Sequence, residues 1–194
     1  MAKLYFRYGV MGSSKTAGAL MVKYNYEERG QKVLLLKPAV DTREAPDKIV
    51  SRSGLWAPCR LFDEIYRLDV RDFDCVIVDE AQFLTKQQVR YLCRVVDEYG
   101  VPVIAYGLRA DFKGELFEGS QWLLAWADAI EEVKTICWCG KKATFNARYK
   151  DGKVLRDGEQ VLIGANDQYT SLCRRHYYEG NLGPGQHTGR QSDK

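Results

Sequence analysis

The chain has 194 residues, of which 45% are hydrophobic and 28% charged. That balance suits one globular domain, or one domain and a small appendage, and excludes disordered and fibrous classes. With 29 Lys and Arg against 26 Asp and Glu the formal net charge is +3, too mild to announce a nucleic-acid partner.

No stretch approaches the roughly 20 uncharged apolar residues that a membrane span needs, so no membrane partner is expected. The N-terminus opens directly into Lys3-Leu4-Tyr5-Phe6-Arg7-Tyr8 with no apolar signal segment, and a cytoplasmic location is the default expectation. In that compartment the six cysteines should stay reduced.

In chain order, Tyr5 to Tyr8 reads as a short strand running into Gly9, and residues 14 to 29 read as a helix with Gly30 at its C-terminal cap. Lys32 to Lys37 is a buried strand ended by Pro38. Residues 41 to 58, holding Pro46, Gly54 and Pro58, read as irregular, and Asp63 to Leu68 as a short helix. Cys75 to Val78 is a second buried strand, which stops at Asp79-Glu80. Residues 85 to 99 form a helix with Val89, Leu92, Val95 and Val96 on one face. Val101 to Tyr106 is a third buried strand, and Leu123 to Ala129 a further helix. Apolar strands that alternate with helices imply a parallel sheet covered on both faces. The expected class is therefore α/β, a parallel sheet flanked by helices over residues 1 to 133.

Near residue 134 the texture changes to short strands with Asp151-Gly152 and Asp157-Gly158 turns, the marks of hairpins. Residues 134 to 180 are thus expected to form a small β-rich domain that needs a staple. The tail over 181 to 194, rich in Gly, Gln and Ser, is expected to be disordered.

Gly9-Val10-Met11-Gly12-Ser13-Ser14-Lys15-Thr16 lies between strand and helix and nearly fits the phosphate-loop pattern G-x-x-x-x-G-K-[ST]. Successive backbone N–H groups and a helix N-terminus make an anion site there. Lys15 would meet the β- and γ-phosphates, and Thr16 would offer its hydroxyl to Mg²⁺. Ser14 stands where the second glycine is expected. A positive φ at that position would strain a serine by about 1–3 kcal/mol; the expectation is instead a negative φ in the first helical turn.

Val76-Ile77-Val78-Asp79-Glu80 delivers two carboxylates to a C-terminal strand edge, where open α/β sheets bind ligands. Asp79 suits the magnesium shell, and Glu80 is free to act as a general base or to polarise a water. Cys137, Cys139, Cys173 and His176 supply three thiols and an imidazole, the donor set of a closed structural zinc site. Such a site would staple the small domain.

These motifs resemble the small, tetrameric, zinc-containing thymidine kinases of bacteria and animal cytosol. The resemblance rests on Gly9 to Thr16 with Met11, Lys37-Pro38, Asp41-Thr42-Arg43, and Asp79-Glu80-Ala81-Gln82-Phe83. It extends through Tyr106 to Phe117 (YGLRADFKGELF), Cys137 to Ala143, Val161 to Gly164, Tyr169 and Cys173 to His176. It implies a phosphate-loop (RecA-like) parallel sheet with a small zinc-stapled lasso domain, and transfer of the γ-phosphoryl of ATP to the 5′-hydroxyl of thymidine, giving dTMP and ADP for DNA precursor salvage. Glu80 would be the base on that hydroxyl. The nucleotide would be held by the phosphate loop from Gly9 to Thr16, Arg43, and Asp79, Glu80, Ala81 and Gln82. Met11, Phe83, Leu108, Phe112, Phe117 and Tyr169 would surround base and sugar. A long loop from Gln160 to Tyr169, the lasso, would cover the nucleoside and open when it leaves, with Gln160, Leu162 and Gly164 at the thymine edge. Ala165 departs from the second glycine commoner in the family. A homotetramer and feedback inhibition by dTTP are further implications.

The alternative is a phosphate-loop ATPase, or a regulatory nucleotide-binding paralogue, with the zinc module as an interaction surface. There Glu80 would activate water instead of a sugar hydroxyl.

Overall fold

The computed structural model describes residues 1–41, 45–160 and 168–184. The expected members Thr42, Arg43, Leu162, Gly164 and Ala165, with most of the lasso and residues 185–194 of the tail, lie outside the described residues.

Strand β1 (Leu4–Gly9) is followed by α1 (Lys15–Glu27), β2 (Val33–Lys37), a hairpin of β3 (Lys48–Val50) and β4 (Trp56–Pro58), and the two-residue β5 (Arg60–Leu61). Then come β6 (Cys75–Val78), α2 (Lys86–Asp97), β7 (Val103–Leu108), α3 (Glu118–Trp126) and β8 (Ala129–Glu132). The chain closes with β9 (Phe145–Lys150), β10 (Lys153–Val154), β11 (Gln168–Leu172) and α4 (Arg174–Glu179).

Six strands form one sheet in the order β5-β2-β6-β7-β1-β8, with every pairing parallel. Side chains alternate between its faces, as a pleated backbone requires. Leu34, Leu36, Val76, Val78, Val103 and Ala105 point to the side covered by α2 and α3. Leu35, Ile77, Ile104 and Tyr106 point to the side covered by Ala19 and Leu20 of α1. This is the expected α/β class. Helix α2 begins at a capping box, in which Thr85 and Gln88 bond each other's backbone N–H groups.

Two elements differ from expectation. Residues 41 to 58 are not wholly irregular, because they contain the β3–β4 hairpin. Its three-residue strands, bounded by Pro46 and Pro58, are too short to register as periodicity. The helix read at Leu123 to Ala129 instead ends at Trp126, and residues 129–132 form β8 beside β1. An edge strand with exposed Ile130 and Glu131 lacks the continuous apolar run that marked β2, β6 and β7.

Beyond β8, β10-β9-β11 form an antiparallel sheet. Asp151-Gly152, both at positive φ, turn β9 into β10 as the sequence implies. Asp157-Gly158 closes no hairpin among the described residues. One face of this sheet, with Phe145, Ala147, Tyr149 and Leu172, packs on Tyr177 of α4 and on Cys137 and Cys173. The opposite face carries Asn146 across from Ser171 and Arg148 across from Tyr169.

Candidate active site and metal centre

Strand β1 ends at Gly9, and α1 starts at Lys15, so the intervening loop hangs at the C-terminal edge of the sheet. A Cβ at Gly9 would lie 2.4 Å from Ser13 Oγ and 2.5 Å from the Val133 carbonyl, so only glycine lets the loop turn back there. Strand β7 lies between β1 and β6, and the acidic end of β6 reaches the same edge. Together they border a cavity of about 560 Å³ lined by Met11, Gly12, Ser13, Ser14, Lys15, Thr16, Asp79, Glu80 and Leu108.

Ser14 departs from expectation. Its φ of 60° and ψ of 25° place it in the left-handed region at the N-cap of α1. The loop therefore keeps the backbone that a glycine would adopt, and the serine carries the strain. Glu80 is also left-handed, at φ 51°. Of the three non-glycine residues at positive φ among those described, two line this cavity and the third, Asp151, sits in a hairpin turn.

Asp79 is buried and donates its N–H to the Leu36 carbonyl at 2.9 Å, which extends the β6 ladder. Burial, and then the adjacent Glu80 charge, push its carboxyl well above the ordinary range; a hydrogen bond from Thr16 opposes them. Glu80 accepts from the Gln82 amide, while Gln82 Oε1 accepts the Leu108 N–H at 3.0 Å. Gln82 thus ties the carboxylate to the end of β7, and Gly107 leaves room for it: a Cβ there would meet Gln82 Oε1 and N at 2.9 Å. The Lys15 ammonium donates to the Val10 carbonyl at 2.8 Å and to Ser13 Oγ at 3.2 Å.

The remaining expected residues fall around this centre. Gly9 and Val10 lie behind the loop, on a second cavity of about 330 Å³. Ala81 and Gln82 are buried in a one-turn 3-10 helix. Phe83 and Phe117 pack edge to face at 5.7 Å. Phe112 is buried beneath the Arg148 guanidinium, 5.0 Å from its ring centre. None of these three phenylalanines lines the first cavity. Gln160 donates to Asp111 Oδ2 at 3.0 Å, and Tyr169 sits in β11 across from Arg148.

Sequence reading missed the hairpin wall. Lys48, Ser51, Arg52 and Ser53 line the phosphate-loop cavity, and a Cβ on Gly12 would lie 3.7 Å from Arg52 Nη1. The buried Lys37 anchors this wall, donating to the Ala45 and Lys48 carbonyls at 2.8 and 3.0 Å. No motif marks Arg52; only the fold carries it to the loop.

A model of the thymidine kinase family matches residues 2–177. The chain belongs to the thymidine kinase family. A thymidine kinase of Legionella pneumophila (strain Lens) is 49% identical over 193 residues, 94% of this chain and 92% of its own. Those of Rhodopirellula baltica and Haemophilus influenzae are each 50% identical over 188 residues, 92% of this chain and 89% and 97% of theirs. The protein is accordingly a kinase, and the ATPase alternative loses its ground.

In the small sheet's region, the donor atoms of Cys137, Cys139, Cys173 and His176 all lie within 4.8 Å of one another. Cys137 Sγ is 3.4 Å from His176 Nδ1, and Cys139 Sγ is 4.0 Å from Cys173 Sγ. Zn–S bonds of about 2.3 Å set tetrahedral donors roughly 3.8 Å apart, so the cluster could hold zinc. Cys137 to Gly140 form a turn closed by the Gly140 N–H on the Cys137 carbonyl at 2.9 Å, and Cys173 is the N-cap of α4. The Trp138 ring stacks on His176 at 4.3 Å.

Proposed function

We propose that this kinase transfers the γ-phosphoryl of ATP to the 5′-hydroxyl of thymidine, releasing dTMP and ADP. The observation that carries the reading is the meeting of the phosphate loop and Asp79-Glu80 in one cavity, in a chain of the thymidine kinase family. Loop N–H groups and the start of α1 receive the phosphates. Lys15 and Arg52 supply positive charge where negative charge is transferred. Arg52 joins, or stands beside, the Arg43 role implied by the resemblance. Thr16 and Asp79 would hold Mg²⁺ with the nucleotide, and the cation would neutralise the transferring oxygens. The raised carboxyl of Asp79 supports this reading, because a buried acid beside a second carboxylate favours a cation next to it.

Glu80 takes the proton of the acceptor hydroxyl, with the Gln82 amide holding its carboxylate in place. Leu108 and Met11 give the cavity its apolar side, and the family resemblance assigns Phe83, Phe112, Phe117, Gln160 and Tyr169 to the nucleoside. Cys137, Cys139, Cys173 and His176 hold a structural zinc that takes no part in the chemistry. A homotetramer, dTTP as feedback inhibitor and a role in deoxynucleotide salvage complete the reading. It also places the enzyme in the cytoplasm, whose reducing conditions keep the cysteine thiols available as ligands. No helix among the described residues is long and apolar enough to cross a membrane.

The test is ADP release from MgATP with and without thymidine. Thymidine-dependent turnover is expected. Equal ADP release in both assays would show an ATPase and overturn the assignment.

A further inference from the structure

The phosphate loop does not belong to the large sheet alone. Val10 packs against the apolar cluster of the small sheet. The next residue, Met11, has both backbone groups gripped by a cross-strand pair of that sheet. Its N–H donates to Asn146 Oδ1 at 2.8 Å, and its carbonyl accepts from Ser171 Oγ. Asn146 lies on β9 directly opposite Ser171 on β11, so one register fixes both contacts.

Peptide planarity gives these bonds a consequence. The C=O and N–H of one trans peptide point in opposite directions. Holding the Met11 N–H at Asn146 therefore turns the Val10 carbonyl the other way, and there it receives the Lys15 ammonium at 2.8 Å. Holding the Met11 carbonyl at Ser171 likewise turns the Gly12 N–H away from β11, in the stretch that lines the phosphate cavity. Asn146 is buried, and its amide also donates to the Ala110 carbonyl at 2.8 Å. Its orientation is thus set: the flipped amide would oppose donor to donor at Met11 and acceptor to acceptor at Ala110.

We propose that Asn146 and Ser171 are positioning residues that set the anion-binding geometry of the phosphate loop through Met11, making the small sheet a working part of the nucleotide site. The inference rests on the phosphate-site reading above. Removing either partner frees a peptide plane of the loop, so the loss should fall on nucleotide binding.

Ser171→Ala is the cleaner variant, because it removes the hydroxyl that bonds the Met11 carbonyl and leaves the rest of β11 unchanged. MgADP binding by calorimetry should weaken about 5- to 20-fold in Ser171→Ala, and at least as much in Asn146→Ala. Ser171→Thr, which keeps the hydroxyl, should return to within about twofold of wild type. The two alanine variants should not add, because both act on one loop residue. In turnover the change should appear in KM for ATP and not in KM for thymidine. Metal content and melting temperature of Ser171→Ala should match wild type. MgADP affinity unchanged in both alanine variants, beside a wild type that binds, overturns the clamp and leaves the phosphate site standing. A loss that tracks loss of metal, or that threonine does not restore, also overturns it. A wild type that binds no MgADP removes the phosphate-site reading, and the clamp with it.

Discussion

The six-stranded sheet buries both faces under helices with apolar side chains, whereas the three-stranded sheet packs apolar side chains on one face and buried polar ones, Asn146 and Arg148, on the other. In the large sheet β2, β6 and β7 read as near-continuous apolar runs, and that buried area carries its stability. In the small sheet the apolar cluster includes Cys137 and Cys173, two of its four candidate metal ligands. Its core is thus organised around a donor set more than around area. Asn146, Arg148 and Ser171 on the other face are polar for a reason: they contact the phosphate loop and the 110–112 segment of the large region. One sheet makes the edge on which the site is built, and the other holds part of that edge in shape.

Breaking the donor set should therefore separate the two regions most sharply. Cys173→Ser should release zinc and unfold much of residues 134–184, because metal-binding energy in such a module is folding energy, of order 10 kcal/mol. Cys173 is also the N-cap of α4 but makes no side-chain capping bond, and serine is a favoured N-cap, so the loss expected here comes from the metal and not from the helix start. The large sheet, with both faces filled by α1, α2 and α3, should survive. Hydrogen exchange read segment by segment, with elemental analysis of the carefully prepared wild type, checks this. Wild-type protein without zinc, or uniform loosening of both regions, would mean that the small sheet is held by its apolar face after all.

A smaller effect is expected within the large region, and of a different kind. Glu80→Gln should leave MgADP affinity close to wild type and lower kcat by about 10²–10⁴-fold, the usual worth of a general base. The replacement keeps side-chain shape but removes the carboxylate that accepts from Gln82. Single-turnover assays with thymidine and MgATP would measure the chemical step directly. Turnover like that of wild type would remove Glu80 from the proton transfer and leave Asp79 as the only acid of the pair with a role.

The two regions also differed in how far the sequence disclosed them. The parallel strands at 33–37, 75–78 and 103–108 announced themselves because both faces are buried, so nearly every residue is apolar. Strand β8 and the β3–β4 hairpin did not, because an edge strand or a three-residue strand leaves no such run. Lys15, Thr16, Asp79 and Glu80 were legible because local chemistry fixes their spacing. Arg52 was not, because its place depends on a hairpin whose anchor is the buried Lys37. Asn146 and Ser171 stand 25 positions apart in the numbering, and only strand register brings them to one methionine. Phe112 shows the converse: a motif aromatic whose buried place under Arg148 the motif does not convey.

Ser14 offers the smallest and most local test, since it asks whether the large region built its cradle with the wrong residue. The left-handed φ of 60° costs a serine about 1–2 kcal/mol, and glycine would adopt it freely. Glycine in turn loses more backbone entropy on folding, about 0.5–1 kcal/mol, so Ser14→Gly should stabilise the protein by no more than about 1 kcal/mol. Function should change little, for a specific reason. The serine already holds the glycine-like backbone, and its carbonyl accepts the Gly18 N–H at 2.9 Å as the first bond of α1. The N–H groups proposed to receive the phosphates are thus already in position, and the strain is stored without displacing them. Ser14→Gly should raise the melting temperature slightly and change kcat/KM for ATP by less than about tenfold, or 1.4 kcal/mol. A much larger gain in kcat/KM would mean that the serine side chain obstructs the phosphates. The limit on this enzyme would then lie in its own phosphate loop and not in the small sheet that grips it.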